Sequence, residues 1–387
     1  MLLFAALTAL LLSYALNRRG RDTILYHNRW VWGVVFGGIV VFLAIQTTGL
    51  VEQRLNTPQE SGFLLQKAQG MQLRMVEKLG ILRLADTDKS ILATLTVNYR
   101  YAMSCEIFNQ FSVTGVAHLL SVSGFHVAIV CAFINFLLQY IPDKNAAVRW
   151  IKHVNLLICV WAFAYISGLA TAAVRAAVMI SIYFIGKGIL GRKPDRYNTL
   201  ACAAFCMLVY NPFYLFSVGF QLSFVAVFFI LYLQPRLSRL IEIRNPLIAN
   251  PWDVLTVTIS AQIGTSFLSF YYFGHCSLVF IFTNLALSFL ATLLVPLTLC
   301  WMNIPDGIPG IGLLQSIIET MTRWMMWIVE RFASIPGATL SIRFDFFTLV
   351  LSYLFLAFLL IYFRSRRYRM LFASLVTLLI ILCRQLI

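Results

Sequence analysis

Apolar runs long enough to cross a membrane recur along almost the whole chain, and nothing else limits its fold as strongly. A helix needs about 20 mainly apolar residues to cross a bilayer. Such runs lie near residues 2–16, 30–50, 118–139, 153–168, 171–189, 198–210, 213–233, 254–272, 278–302, 346–363 and 369–386, with a twelfth candidate at 311–333. Hydrophobic residues make up 60% of the 387 and charged residues only 12%, against roughly 45–50% and about 25% in a soluble domain. An ordinary core cannot absorb that excess. The sequence therefore predicts an all-α, polytopic integral membrane protein with about 11–12 transmembrane helices, some discontinuous. The first run has no basic segment before it, and Arg18, Arg19 and Arg21 follow it. That order reads as an uncleaved span, not a signal peptide.

The net charge of +15 is first of all a statement about topology. Eighteen of the 30 lysines and arginines fall in five short loops, 17–29, 140–152, 187–197, 234–253 and 364–369, which hold only five acids. Short basic loops mark the cytoplasmic face, so basicity by itself says little about DNA. Placing these loops inside puts the polar segment 51–115 outside, as a short helical appendage resting on the membrane, after an N-terminal hairpin over 1–50. For the loop 364–369 to be cytoplasmic as well, 278–302 and 311–333 must both cross or neither. The second of these carries Gln315, Glu319, Arg323 and Glu330 near one face, a pattern that suits either a cavity wall or a helix at the interface.

The eight cysteines give no metal pattern. Cys131, Cys159, Cys202, Cys206, Cys300 and Cys383 lie in apolar runs as small packing residues. Cys105 and Cys276 alone fall where the outer face would expose them, close enough in topology for a disulfide. No third ligand stands near the histidines, so no metal and no cofactor is expected.

Polar groups at membrane depth cost roughly 2.5–3.5 kcal/mol when charged, so each needs a reason. The stretch "HLLSVSGFHVAIV" sets His118, Ser121, Ser123, Gly124 and His126 at the head of an apolar run. One unbroken helix would leave Val122 and Phe125 inside the polar sector. The Ser123-Gly124 pair suggests a break instead, tolerated only where protein or water meets the freed backbone. Arg175 lies in "TAAVRAAVMISIYF", Gln221 and Ser223 in "GFQLSF", Gln262 in "AQIGTS" and Asn284 in "TNLALS". Such residues either bond neighbouring helices to one another or line a shared wet cavity. The confident spans contain no aspartate or glutamate, which argues against a proton-relay transporter.

These same residues carry a resemblance. "GVAHLLSVSGFHVAIV" (115–130), "GLATAAVRAAVM" (168–179), "GRKPDRYNTLACAAFCMLVYNPFYLFSVGFQLSFVAV" (191–227) and "AQIGTSFLSFYYFGHCSLVFIFTNL" (261–285) follow one another in the order of the competence domain of ComEC-type DNA-uptake channels. The chain resembles that family over most of 95–335. The resemblance implies a non-enzymatic inner-membrane channel domain over 116–387 that passes single-stranded DNA during natural transformation. It implies partners that capture DNA, degrade one strand and pull the other: a receptor, a nuclease and a cytoplasmic motor, besides membrane lipid. His118, Ser121, Ser123, Gly124, His126, Arg175, Gln221, Ser223, Gln262 and Asn284 match the family pattern and are the expected lining of the DNA path. Segment 51–115 is too short and too helical for the oligonucleotide-binding-type β-domain of many members. The five histidines, His27, His118, His126, His153 and His275, supply no metallo-β-lactamase motif. A minimal member is expected on these grounds. The alternatives are an anion or metabolite transporter on the same scaffold and a degenerate paralogue with a structural role.

Overall fold

A computed structural model describes residues 63–100, 103–120, 122–142, 145–188, 195–241, 245–305 and 310–386, with a few isolated positions around residue 48. The expected spans at 2–16 and 30–50, and the hairpin they would form, lie outside the described residues. The helices run α1 (Phe63–Leu79), α2 (Asp86–Val97), α3 (Cys105–Val113), α4 (Gly124–Gln139), α5 (Ala146–Ile166), α6 (Thr171–Gly188), α7 (Arg196–Tyr210), α8 (Val218–Leu237), α9 (Pro246–Phe273), α10 (Phe280–Asn303), α11 (Ile311–Ala333), α12 (Phe346–Ser365) and α13 (Tyr368–Leu386). Short 3-10 turns at Ala117–Leu120 and Pro212–Phe216 precede α4 and α8. Two three-residue strands, β1 (His275–Ser277) and β2 (Thr339–Ser341), pair antiparallel with Cys276 opposite Leu340.

The chain is an all-α, multi-pass membrane protein. Among the described residues six helices are long and apolar enough to cross: α5, α8, α9, α10, α12 and α13. The runs expected at 118–139, 171–189 and 198–210 form shorter helices of 16, 18 and 15 residues. The first is short because the chain breaks before Gly124. The amphipathic α11, 23 residues long, is not among the six.

Three apolar nuclei organise the fold. Val122, Val127, Leu156, Val160, Phe163, Ala173 and Ala177 knit α4, α5 and α6 together. Phe229, Leu233 and Leu356 join α8 to α12, with Ile263 and Phe267 of α9 packed against them. The largest nucleus packs the helices over 63–113 onto two long helices of the C-terminal part. Leu79, Ile91, Leu92, Leu95 and Phe111 are fully buried against Leu287, Leu294 and Trp301 of α10 and Ile318 and Met325 of α11. Half of the α10 window is buried, against 11–28% for the other five candidates. It is the central helix, since its Val295 also enters the α4–α6 nucleus.

The polar face of α11 serves this packing. Glu319 Oε1 accepts the Arg83 N–H at 2.7 Å, and Arg323 Nη2 donates to the Arg83 carbonyl at 2.7 Å. These two bonds pin the exposed turn that follows α1 to α11. Gln72 holds the other side, donating to the Val97 carbonyl and lying against Gly168 at the α5–α6 turn. Cys105 is exposed, Cys276 half-buried, and both are free thiols, so the disulfide that topology would allow is not formed.

Candidate functional site

The apolar run that begins at His118 is interrupted where its small polar residues stand. Ser123 is extended (φ −98°, ψ 173°) and caps α4. Its Oγ accepts the Phe125 N–H at 3.2 Å, while His126 Nδ1 accepts the Ser123 N–H at 3.2 Å. This is a capping box in which histidine takes the position usually given to Glu or Gln. With Nδ1 accepting, the proton sits on Nε2, and that atom is buried without a partner. The Val122 N–H, freed by the break, donates to Asn98 Oδ1 at 3.3 Å. Asn98 takes the left-handed conformation at φ 60° that closes α2. Sequence reasoning missed Asn98. Its only local signal was an asparagine after the last apolar residue of a helix.

His126 is therefore built into the corner, fully buried. His118 differs. Its ring bonds the Gly115 backbone, and the residue is exposed at the surface of the described helices. Gly115 makes the approach possible with φ +79° and no room for a Cβ, which would sit 2.7 Å from Ser277 Cβ and 2.8 Å from Phe280 Cβ. Ser121 lies outside the described residues.

Arg175 stands one turn into α6 and keeps only 6% of its surface exposed. Gly124, the first residue of α4, packs on the neighbouring Ala176, its missing Cβ 3.6 Å from that methyl. The guanidinium points toward the start of α8: Nη2 and Nη1 lie 3.6 and 3.8 Å from where a Cβ on Gly219 would be. Tyr214 is close enough to interact with its charge. Among the described residues Arg175 has no carboxylate partner, and its buried Nε makes no hydrogen bond. A buried charge left unpaired costs several kcal/mol.

The other expected residues are engaged between helices. Gln221 Nε2 donates to the Leu215 carbonyl at 2.9 Å, and its Oε1 accepts from the Tyr272 hydroxyl at 2.7 Å. That ties α8 to α9 and to the preceding 3-10 turn. Gln262 Nε2 donates to Cys276 Sγ at 2.9 Å, holding β1 against α9. Asn284 Nδ2 donates to Thr258 Oγ1 at 2.6 Å, and its Oδ1 accepts from Ser288 at 3.3 Å. Ser223 is half-buried on α8. So His118, Ser123, Gly124 and His126 share one corner, Arg175 packs beside it, and Gln221 lies two residues beyond Gly219. Gln262 and Asn284 form separate contacts along α9. Among the described residues no three His, Cys, Asp or Glu side chains gather as metal ligands.

Asn98, Ser123, Gly124, His126, Arg175 and Gly219 all fall within one stretch matched by a known family. The profile of the family described as Competence protein matches residues 95–367, more than half of the chain. The chain belongs to the competence protein family. It is 28% identical over 264 residues to ComE operon protein 3 of Bacillus subtilis (strain 168), a match that covers 65% of this chain and 31% of that protein. It is 24% identical over 143 residues to the uncharacterized protein YcaI of Escherichia coli (strain K12), covering 36% of this chain and 19% of the other. The aligned part thus spans about a third or less of these relatives' lengths. No solved structure matches.

Proposed function

We propose that this competence-family chain forms a path for single-stranded DNA across the bacterial inner membrane. The observation that carries the proposal is Arg175, a nearly buried cation with no acid partner among the described residues, packed beside the broken-helix corner at Ser123 and Gly124. Rings of arginine or lysine select anions and phosphates in channels, and phosphate attraction dominates DNA binding. The short basic loops lie on the cytoplasmic side in this reading. The chain itself catalyses no covalent step, so capture of DNA, removal of one strand and the pulling force come from a receptor, a nuclease and a motor protein. No bound cofactor takes part. A small-anion path would use the same cation, and the assay separates the two.

The test is natural transformation of a clean deletion complemented with the intact gene. Arg175→Ala should abolish DNA entry at an unchanged level of membrane-inserted protein. Arg175→Lys should retain part of it, because lysine keeps the charge without the two-pronged geometry. Loss of the Arg175→Ala protein from the membrane would make the arginine a folding element. Wild-type transformation by Arg175→Ala, with normal insertion, would end the DNA reading.

A further inference from the structure

The start of α8 lies beside Arg175. Its N-cap residue, Ser217, makes no side-chain cap bond. The first N–H of α8 bonded back into the preceding turn is that of Gln221, to the Ser217 carbonyl at 3.1 Å. The N–H groups of Val218, Gly219 and Phe220 have no acceptor among the described residues. Three free donors at the positive end of a 20-residue helix form an anion-seeking surface. A helix start alone is common. Here a second feature faces it: the Arg175 guanidinium, on a residue only 6% exposed, lies directly over Gly219, with its Nε unbonded. Arginine and an uncapped helix start repel each other unless something negative lies between them. Gly219 is itself exposed although Phe220 beside it is buried, so the described residues leave this side of the helix start uncovered.

The geometry points to a cradle for one phosphate oxyanion, built from Arg175 and the free N–H groups of Val218, Gly219 and Phe220. It would hold a single phosphodiester of the passing strand as a dwell point. This rests on the reading of the chain as a DNA path, and it adds a defined site to it. Fork-like arginine donors plus backbone N–H groups suit a tetrahedral oxyanion far better than a spherical halide. Glycine at 219 is part of the device. A methyl group there meets Nη2 and Nη1 at 3.6 and 3.8 Å, ordinary contact distances. It would not disturb the fold, but it would occupy the wall an oxygen must approach. An aspartate there would reach the guanidinium itself and act as a built-in anion.

The experiment uses the full chain, purified in a phosphate-free maltoside detergent, with dimethyl phosphate as the calorimetric probe and chloride as the control anion. Arg175→Ala and Gly219→Asp should each weaken dimethyl phosphate binding by roughly tenfold or more, the loss expected for a charge-assisted bond. Gly219→Asp should also raise the thermal midpoint, because its carboxylate neutralises the buried arginine and favours the helix start. A merely structural glycine would do the reverse. A single-stranded oligonucleotide should displace the probe, and its uncharged methylphosphonate analogue should not. Displacement by short-chain phosphatidylglycerol, and not by the oligonucleotide, would assign the cradle to lipid headgroups and overturn the dwell point. Undiminished probe binding by Gly219→Asp would overturn the cradle even if Arg175→Ala blocks transformation. Loss of probe binding in both variants with wild-type transformation would leave the cradle standing and sink the DNA path instead.

Discussion

Gly115→Ala adds one methyl group where the chain has no space for it. The residue sits at φ +79°, a left-handed conformation that costs an L-residue with a Cβ roughly 1–2 kcal/mol. The new Cβ would lie 2.7 Å from Ser277 Cβ and 2.8 Å from Phe280 Cβ, whereas carbons prefer about 3.5–4.0 Å. Neither neighbour moves freely, since Ser277 is paired to Thr339 in the two-stranded sheet and Phe280 opens α10. Overpacking of this kind costs about 1–3 kcal/mol. The two effects together amount to about 2–5 kcal/mol. Thermal melting of detergent-purified protein, followed by size-exclusion recovery, should show a fall on the order of 5 °C. The matched control is Gly70→Ala, inside α1, where a Cβ meets nothing within 4 Å. That change should be neutral or stabilise by roughly 0.5–1 kcal/mol through helix propensity. Equal midpoints for Gly115→Ala and wild type would refute the reasoning, and with it the tight seat of the His118 corner against β1 and α10.

Further outcomes follow from other contacts. Gly264→Ala should destabilise by about 1–3 kcal/mol, because its Cβ would sit 2.5 Å from the Phe229 ring; adding Phe229→Leu should restore part of the lost thermal midpoint. Asp345 caps α12 and pairs with Arg384 at 2.7 Å, and hydrogen bonds from the Thr348 hydroxyl and N–H, the first the stronger cause, hold its carboxyl below the usual range. Its contribution is therefore present at neutral pH and lost as pH falls below about 4 and through the lowered folded-state value. Melting between pH 7 and 3 should show that decline in wild type and a shallower one in Asp345→Asn. Reporter fusions after Arg196, Arg244 and Arg369 should behave as cytoplasmic and one near Lys89 as external; an external signal after Arg196 would overturn the proposed orientation.

Membrane class and helical architecture follow from the sequence alone, because the length and apolarity of a run are local properties and lipid admits few solutions to them. The break before Gly124 is legible for the same reason: Ser123 and Gly124 are adjacent, and their capping and turn preferences act over a few residues. What surrounds each polar group is not local. Arg175 meets Gly219 only because the fold brings the start of α8 up to α6, and no spacing within either segment announces it. Gln221, Gln262 and Asn284 read alike in sequence, yet tertiary contacts gave them a tyrosine, a cysteine and a threonine as partners. The helices over 63–113 show amphipathic patterns that say one face will be covered. Whether lipid, solvent or protein covers it depended on α10 and α11, some 200 residues away, supplying an apolar surface of matching shape.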